Sequence, residues 1–126
     1  RLGDRRLDTN PFREILDGGV TLCGGTDSDV CQANYIQAIH AAVNHPTPEH
    51  RITVEEAVTM FTSSGAYALG LEQDRGYLKE GFRGDVIVLD RDILSAPAEQ
   101  LCELKVMYTL KDGALVYNRE GGGFQC

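Results

Sequence analysis

The sequence is short of positive charge. Lys and Arg number 12 against 19 Asp and Glu, for a formal net charge of −7. An acidic chain lacks the electrostatic footprint for nucleic acid or an anionic membrane surface, so neither is an expected partner. No apolar run approaches the roughly 18 residues that a membrane-spanning helix needs. The four cysteines, Cys23, Cys31, Cys102 and Cys126, include no C-x-x-C pair, which argues against a zinc knuckle. A disulfide framework is allowed by count but not needed by a core-patterned chain, and the expected compartment is the reducing cytoplasm. The three histidines, His40, His45 and His50, have no partners at metal-ligand spacing. His40 lies at the edge of an apolar helical stripe and reads as a packing residue; His45 and His50 read as solvated loop histidines. The 126 residues allow one modest core and fall short of the roughly 200 that a whole (β/α)8 barrel needs. The chain opens on Arg1 rather than Met, and Arg1 to Asp8 is a charged run unlike a signal peptide. It reads as a piece of something longer.

What is present centres on Val20-Thr21-Leu22-Cys23-Gly24-Gly25-Thr26-Asp27-Ser28-Asp29. Val20, Leu22 and Cys23 predict a buried strand over 20–24. Gly24 and Gly25 would let the backbone turn where a Cβ would clash. Asp27 would then stand just past the strand's C-terminal end, the edge where ligands and catalytic groups collect in parallel α/β proteins. Thr26 and Ser28 could hold its carboxylate by their hydroxyls. Two other readings stay open. Gly, Thr, Asp and Ser are ordinary turn formers, so the stretch also reads as a solvated turn. A phosphate-cradling glycine loop is weakly supported, because no Lys follows in P-loop spacing and no G-x-G-x-x-G occurs.

Around that stretch, Asn10-Pro11 predicts the cap and first residue of a helix over 11–17, with Phe12, Ile15 and Leu16 on one face and Gly18-Gly19 as its stop. A second helix is expected over 34–44, with Tyr35, Ile36, Ile39 and Val43 toward the core, ended by His45-Pro46-Thr47-Pro48. Thr53 and Glu56 have capping-box spacing before Val54, Ala57, Val58 and Phe61, which predicts a helix over 54–63. Ser63-Ser64 starts a short helix that Gly70 stops. After Leu71 the pattern changes to short apolar runs between glycines. Residues 85–90 predict a buried strand, 97–101 a short helical turn, and 104–110 and 114–118 a hairpin across Asp112-Gly113. Gly121-Gly122-Gly123 reads as a flexible tail.

The order of these features resembles the C-terminal part of an amidohydrolase-superfamily enzyme, and most closely metal-dependent hydrolases of the third amidohydrolase type. The resemblance rests on Arg1-Leu2-Gly3, Asn10-Pro11-Phe12-Arg13, Leu16-Asp17-Gly18-Gly19-Val20 and Gly25-Thr26-Asp27. It continues through Thr53-Val54-Glu55-Glu56-Ala57, Thr62 to Gly70, Gly76-Tyr77-Leu78 and Gly81-Phe82-Arg83-Gly84-Asp85 with its following strand, and closes on Asp112-Gly113 and Val116-Tyr117. It implies an α/β fragment: residues 1–72 as the last helix-strand-helix part of a TIM-like barrel, and 73–126 as strands of a small composite β-sandwich. It implies Asp27 as a ligand of a divalent metal, expected to be zinc, and as the proton shuttle for hydrolysis of non-peptide C–N bonds in a small-molecule substrate. Asp29 stands where this type often has Pro, and Phe82 and Gly84 replace the usual Lys and Ala of the sandwich signature. None of the three histidines matches the family's ligands. The isolated chain is therefore expected to be inactive and metal-free, and to self-associate or pair with a missing N-terminal part. Two other classes are carried alongside: a non-catalytic interaction fragment of the same fold, and a receiver-like or nucleotide-binding α/β domain using Gly24-Gly25.

Overall fold

The computed structural model describes residues 9–121, 123 and 124. Helices come first: α1 is Phe12–Asp17, α2 Tyr35–Val43, α3 Val54–Met60 and α4 Ser63–Ala68. Strands follow: β1 is Val86–Leu89, β2 Val106–Lys111, β3 Ala114–Asn118 and β4 Gly123–Phe124. Short 3-10 segments occupy Pro48–His50 and Ala98–Glu103. All four strands form one antiparallel sheet in the order β1-β2-β3-β4. A receiver-like or nucleotide-binding domain needs parallel strands alternating with helices, so this topology removes that reading.

Local chemistry sets the helix ends. Thr53 Oγ1 accepts the Glu56 N–H at 3.1 Å, and Glu56 Oε2 accepts the Thr53 N–H at 2.8 Å, completing the expected capping box. α4 ends in a Schellman motif: the Gly70 N–H bonds Tyr67 O at 3.0 Å and the Leu71 N–H bonds Ala66 O at 2.9 Å, with Gly70 at φ 68°. α1 ends the same way, through Gly19 and Val20 bonded to Leu16 and Ile15. Its start differs from the sequence reading. Pro11, not Asn10, caps α1; with φ −75° and ψ 65° it centres an inverse γ-turn in which Asn10 O accepts the Phe12 N–H at 2.7 Å.

One core joins the helices to the segment between β1 and β2. Ile36, Ile39, Ala42 and Val43 of α2, Ile52, and Ala57 and Met60 of α3 are buried with Leu101 and Leu104. Each such aliphatic side chain contributes about 1.5–3 kcal/mol when fully buried. Phe12 and Leu16 of α1 and Leu89 and Val106 of the sheet pack against this cluster. Polar bonds seal the joint: Asn44 Nδ2 donates to Ala98 O at 2.8 Å and to His40 O at 3.0 Å. Tyr35, expected inside, is 54% exposed, with its ring edge-on to Phe61.

Two expectations about strands are corrected. Residues 20–24 form no strand, because a strand exists only through a ladder with a neighbour, and no described strand lies beside them. Val20 and Cys23 are accordingly exposed. The run 85–90 does form β1, but it is not buried: Ile87 is 52% and Val88 41% exposed. Among the described residues β1 is an edge strand whose only neighbour is β2. The final hairpin begins at Val106 rather than Leu104, since Leu104 belongs to the core as the cap of the preceding 3-10 segment. Of the expected tail, Gly121 is exposed and Gly123 pairs with Asn118; Gly122 and Cys126 lie outside the described residues, as does the charged run 1–8.

The Gly81-to-Asp85 motif works as a clasp on the β2–β3 turn. Asp112 and Gly113 have φ 50° and 79°, both positive, as a type I′ hairpin turn requires. The Gly113 N–H bonds Gly84 O at 2.9 Å. A Cβ on Gly84 would stand 2.8 Å from Gly113 N, so the approach itself excludes a side chain. Asp85 accepts from Lys111 Nζ at 2.7 Å and from the Asp112 N–H at 2.9 Å. Arg83 bridges Asp74 at 2.8 Å and Asp112 at 2.9 Å. The Lys111 ammonium and then the Asp112 N–H hold the Asp85 carboxyl below its ordinary range, and Arg83 does the same for Asp74.

Candidate functional site

Asp27 sits in an exposed loop between α1 and α2. The loop is fixed at its root by Gly24, whose N–H donates to Met60 O at the end of α3 at 3.1 Å. A Cβ there would come within 2.5 Å of the Phe61 ring, which is the steric reason for glycine. Gly25 has open space around it and no positive φ, so the second glycine is not demanded in this way. Asp27 itself has φ 51°, a left-handed conformation that Asp tolerates better than most residues. Its carbonyl accepts the N–H groups of Val30 at 2.8 Å and Cys31 at 3.1 Å, turning the chain toward α2.

The Asp27 carboxylate has no hydrogen-bond or ion-pair partner among the described residues. The flanking hydroxyls of Thr26 and Ser28 do not hold it, contrary to the sequence reading. An accessible, unpartnered carboxylate can accept a proton or ligate a cation. It cannot make a hydrolytic metal centre by itself, which takes three or four protein ligands. Among the described residues no group of three or more His, Cys, Asp and Glu is placed to hold a metal. The residues present therefore do not fit a complete metal site.

The histidines are accounted for elsewhere. His40 is half-buried on α2, with Nδ1 3.2 Å from Ala98 O and 3.1 Å from Asn44 Nδ2, the packing role expected. His45 is not solvated but buried, at 6% exposure. Its Nδ1 lies 3.1 Å from the Thr47 N–H nitrogen and 3.2 Å from Thr47 O, and its Nε2 lies 3.1 Å from Thr9 O. Phe12 and His50 pack edge-on against it. His50 is half-buried, with an Nε2 that has no partner among the described residues. A two-residue return to the backbone across Pro46 draws the ring inward, and periodicity carries no sign of it. Cys23, Cys31 and Cys102 are free and exposed.

Sequence spacing also missed the strongest polar contact of the helical part. Arg13 of α1 donates from Nη1 to both Glu56 carboxylate oxygens, at 2.7 and 2.8 Å, and from Nε to Asp17 at 2.9 Å. Glu56 thus serves the capping box and the α1–α3 joint together. Burial alone would raise its pKa, but the bonds from Thr53 and Arg13 outweigh that and lower it. The only signal was Glu56 itself, whose capping role concealed the second one.

Comparison with known proteins gives these local features a context. The model of the amidohydrolase family matches residues 2–117. An N-substituted formamide deformylase of Arthrobacter pascens is 32% identical over 118 residues, covering 88% of this chain and 22% of that protein. A putative amidohydrolase, YtcJ, of Bacillus subtilis is 27% identical across 94% of this chain and 25% of its own length. An S-triazine hydrolase of Gordonia rubripertincta is 35% identical over 98 residues, 72% of this chain and 20% of that protein. The chain thus spans about a fifth to a quarter of the length of the relatives it matches.

Proposed function

This chain belongs to the amidohydrolase family, and from that premise we propose that it is the C-terminal part of a hydrolase acting on non-peptide C–N bonds, amide or cyclic amide, of small molecules. The observation that carries the reading is the family match over residues 2–117, supported by an exposed Asp27 carboxylate that has no partner among the described residues. Relatives named as a deformylase of N-substituted formamides, a triazine hydrolase and a deaminase support the carbon–nitrogen bond as the common target.

In this reading residues 1–72 are the last helix-strand-helix part of a TIM-like barrel and 73–126 are strands of a composite β-sandwich. Residues 20–24 become a barrel strand once neighbours lie beside them. Asp27 would be one ligand of a divalent metal, zinc by expectation, and its carboxylate would hold the proton passed between water and the leaving nitrogen. A bound metal supplies the activated water; the remaining ligands come from elsewhere in a longer polypeptide. The compartment is the cytoplasm; among the described residues no helix is long and apolar enough to cross a membrane.

Two assays test this. In a full-length polypeptide carrying the segment, Asp27→Asn keeps the fold and cuts amide hydrolysis by at least about a hundredfold, as loss of a general acid/base does; near-normal turnover in a folded variant sinks the role. The 126-residue chain, given zinc or manganese, shows no turnover. Metal-dependent turnover abolished by Asp27→Ala would show that this chain carries a complete site after all. A full-length polypeptide inactive on every C–N substrate tried would favour a non-catalytic interaction role.

A further inference from the structure

The chain is acidic, so its described cations are mostly spoken for. Arg13, Arg75, Arg83, Arg91 and Lys111 are all ion-paired. Arg51 donates to His45 O at 2.8 Å, and Lys79 lies over the Phe82 ring at 5.2 Å. Among the described residues this leaves the head groups of Lys105 and Arg119 without an ion pair or side-chain hydrogen bond. Both line the same cleft, of about 390 Å³.

The cleft lies where the helical part meets the sheet. Gln32 and Asn34, just before α2, form one wall. Lys105 precedes β2, Tyr117 is in β3 and Arg119 follows it. Apolar surface comes from Ile36, Leu104 and Val106, two of which are buried core residues. Among the described residues no carboxylate lines it, although the whole chain carries a net charge of −7. Asp90 is a counterweight: its carboxylate takes the Lys105 backbone N–H at 2.9 Å, and the ammonium acts on it only as a more distant charge. Asn34 already uses its Oδ1 to cap α2, which leaves its Nδ2 as a donor. The cleft therefore offers two cations and carboxamide donors beside an apolar floor.

We propose that this cleft is a binding site for a small organic oxyanion, with its phosphate or carboxylate head on Lys105 and Arg119 and an apolar body against Val106 and Ile36. Two unshared cations on one concave surface attract an anion by Coulomb force. The apolar floor then adds the contact that separates an organic anion from a bare one. The site is distinct from Asp27 and stands or falls independently of the hydrolase reading.

Calorimetric titration of the 126-residue chain with phenyl phosphate tests it, at ionic strength held constant with sodium chloride. The expected result is a saturable isotherm that weakens at least about tenfold, some 1.4 kcal/mol, in Lys105→Met/Arg119→Met. The exchanged variant Lys105→Arg/Arg119→Lys keeps both charges and is expected to keep binding, with circular dichroism confirming the fold of each. A linear, non-saturating response of the natural chain, or an isotherm unchanged in the folded double-Met variant, would overturn the proposal. Equal loss in the Met and the exchanged variants would do so too, because the site is argued from charge.

Discussion

Gly24 and Asp85 show how much single residues decide here. Gly24→Ala would place a methyl carbon 2.5 Å from the Phe61 ring, so either the ring or the loop root must shift. Overpacking of this kind costs about 1–3 kcal/mol, and chemical denaturation is expected to show a loss in that range; an unchanged midpoint would mean that Phe61 rotates away freely. Asp85 and Asp74 carry a pH dependence with a definite sign. Their folded-state pKa values are lowered by Lys111 and Arg83 respectively. The stability they contribute is complete above the ordinary aspartate value near pH 4 and is lost as the pH falls through the lowered folded-state values. Urea midpoints are therefore expected to be level above about pH 5 and to decline below about pH 4. Asp85→Asn should lower the plateau and flatten that decline; an equally steep decline in the variant would locate the effect elsewhere. The sequence marked Gly24 as a turn residue and Asp85 as the start of a strand, but their partners, Phe61 and Lys111, lie far along the chain and could not be read from it.

Elements were legible wherever their ends are set by neighbouring residues. Thr53-to-Glu56 gave the start of α3, and Gly18-Gly19 and Gly70 gave the ends of α1 and α4, because caps and Schellman motifs are closed within a few residues; the expected end of α3 at 63 is too late, as it stops at Met60. Thr53→Ala removes the acceptor of the Glu56 N–H and is expected to cost about 1 kcal/mol. Thr53→Ser should restore most of it, measured by thermal unfolding. The β2–β3 turn is equally local. Gly113→Ala imposes a side chain on φ 79°, costing about 1–2 kcal/mol and loosening the clasp of Gly84 and Asp85 on the hairpin. Amide exchange at Leu110 and Leu115 reads that directly, and protection equal to the natural chain would count against the clasp. Residues 20–24 are the contrary case. Their apolar composition has the look of a strand, yet strand formation needs a partner in the ladder, and composition cannot supply one.

At the scale of the whole molecule the balance of buried and exposed apolar surface is the telling feature. Among the described residues Leu101 is the only large side chain below 2% exposure, whereas Val30, Leu69 and Leu78 exceed 70% and edge strand β1 presents Ile87 and Val88. Exposed apolar faces and an unpaired strand edge invite another chain. The isolated polypeptide is thus expected to self-associate, and sedimentation should show species heavier than 13.8 kDa at micromolar concentration. A compact monomer that binds no hydrophobic dye would refute this. The sequence alone determined the helices and the closing hairpin, because capping, turn chemistry and apolar spacing act over a few residues. Its ordered motifs likewise carried the family resemblance and singled out Asp27. Only the tertiary structure decided that His45 is buried, that Arg13 reaches Glu56, that β1 lies at an edge, and that Lys105 and Arg119 share one cleft. Each of these depends on which distant segments meet, and solvation and pairing energies are set by that meeting rather than by neighbours in the chain.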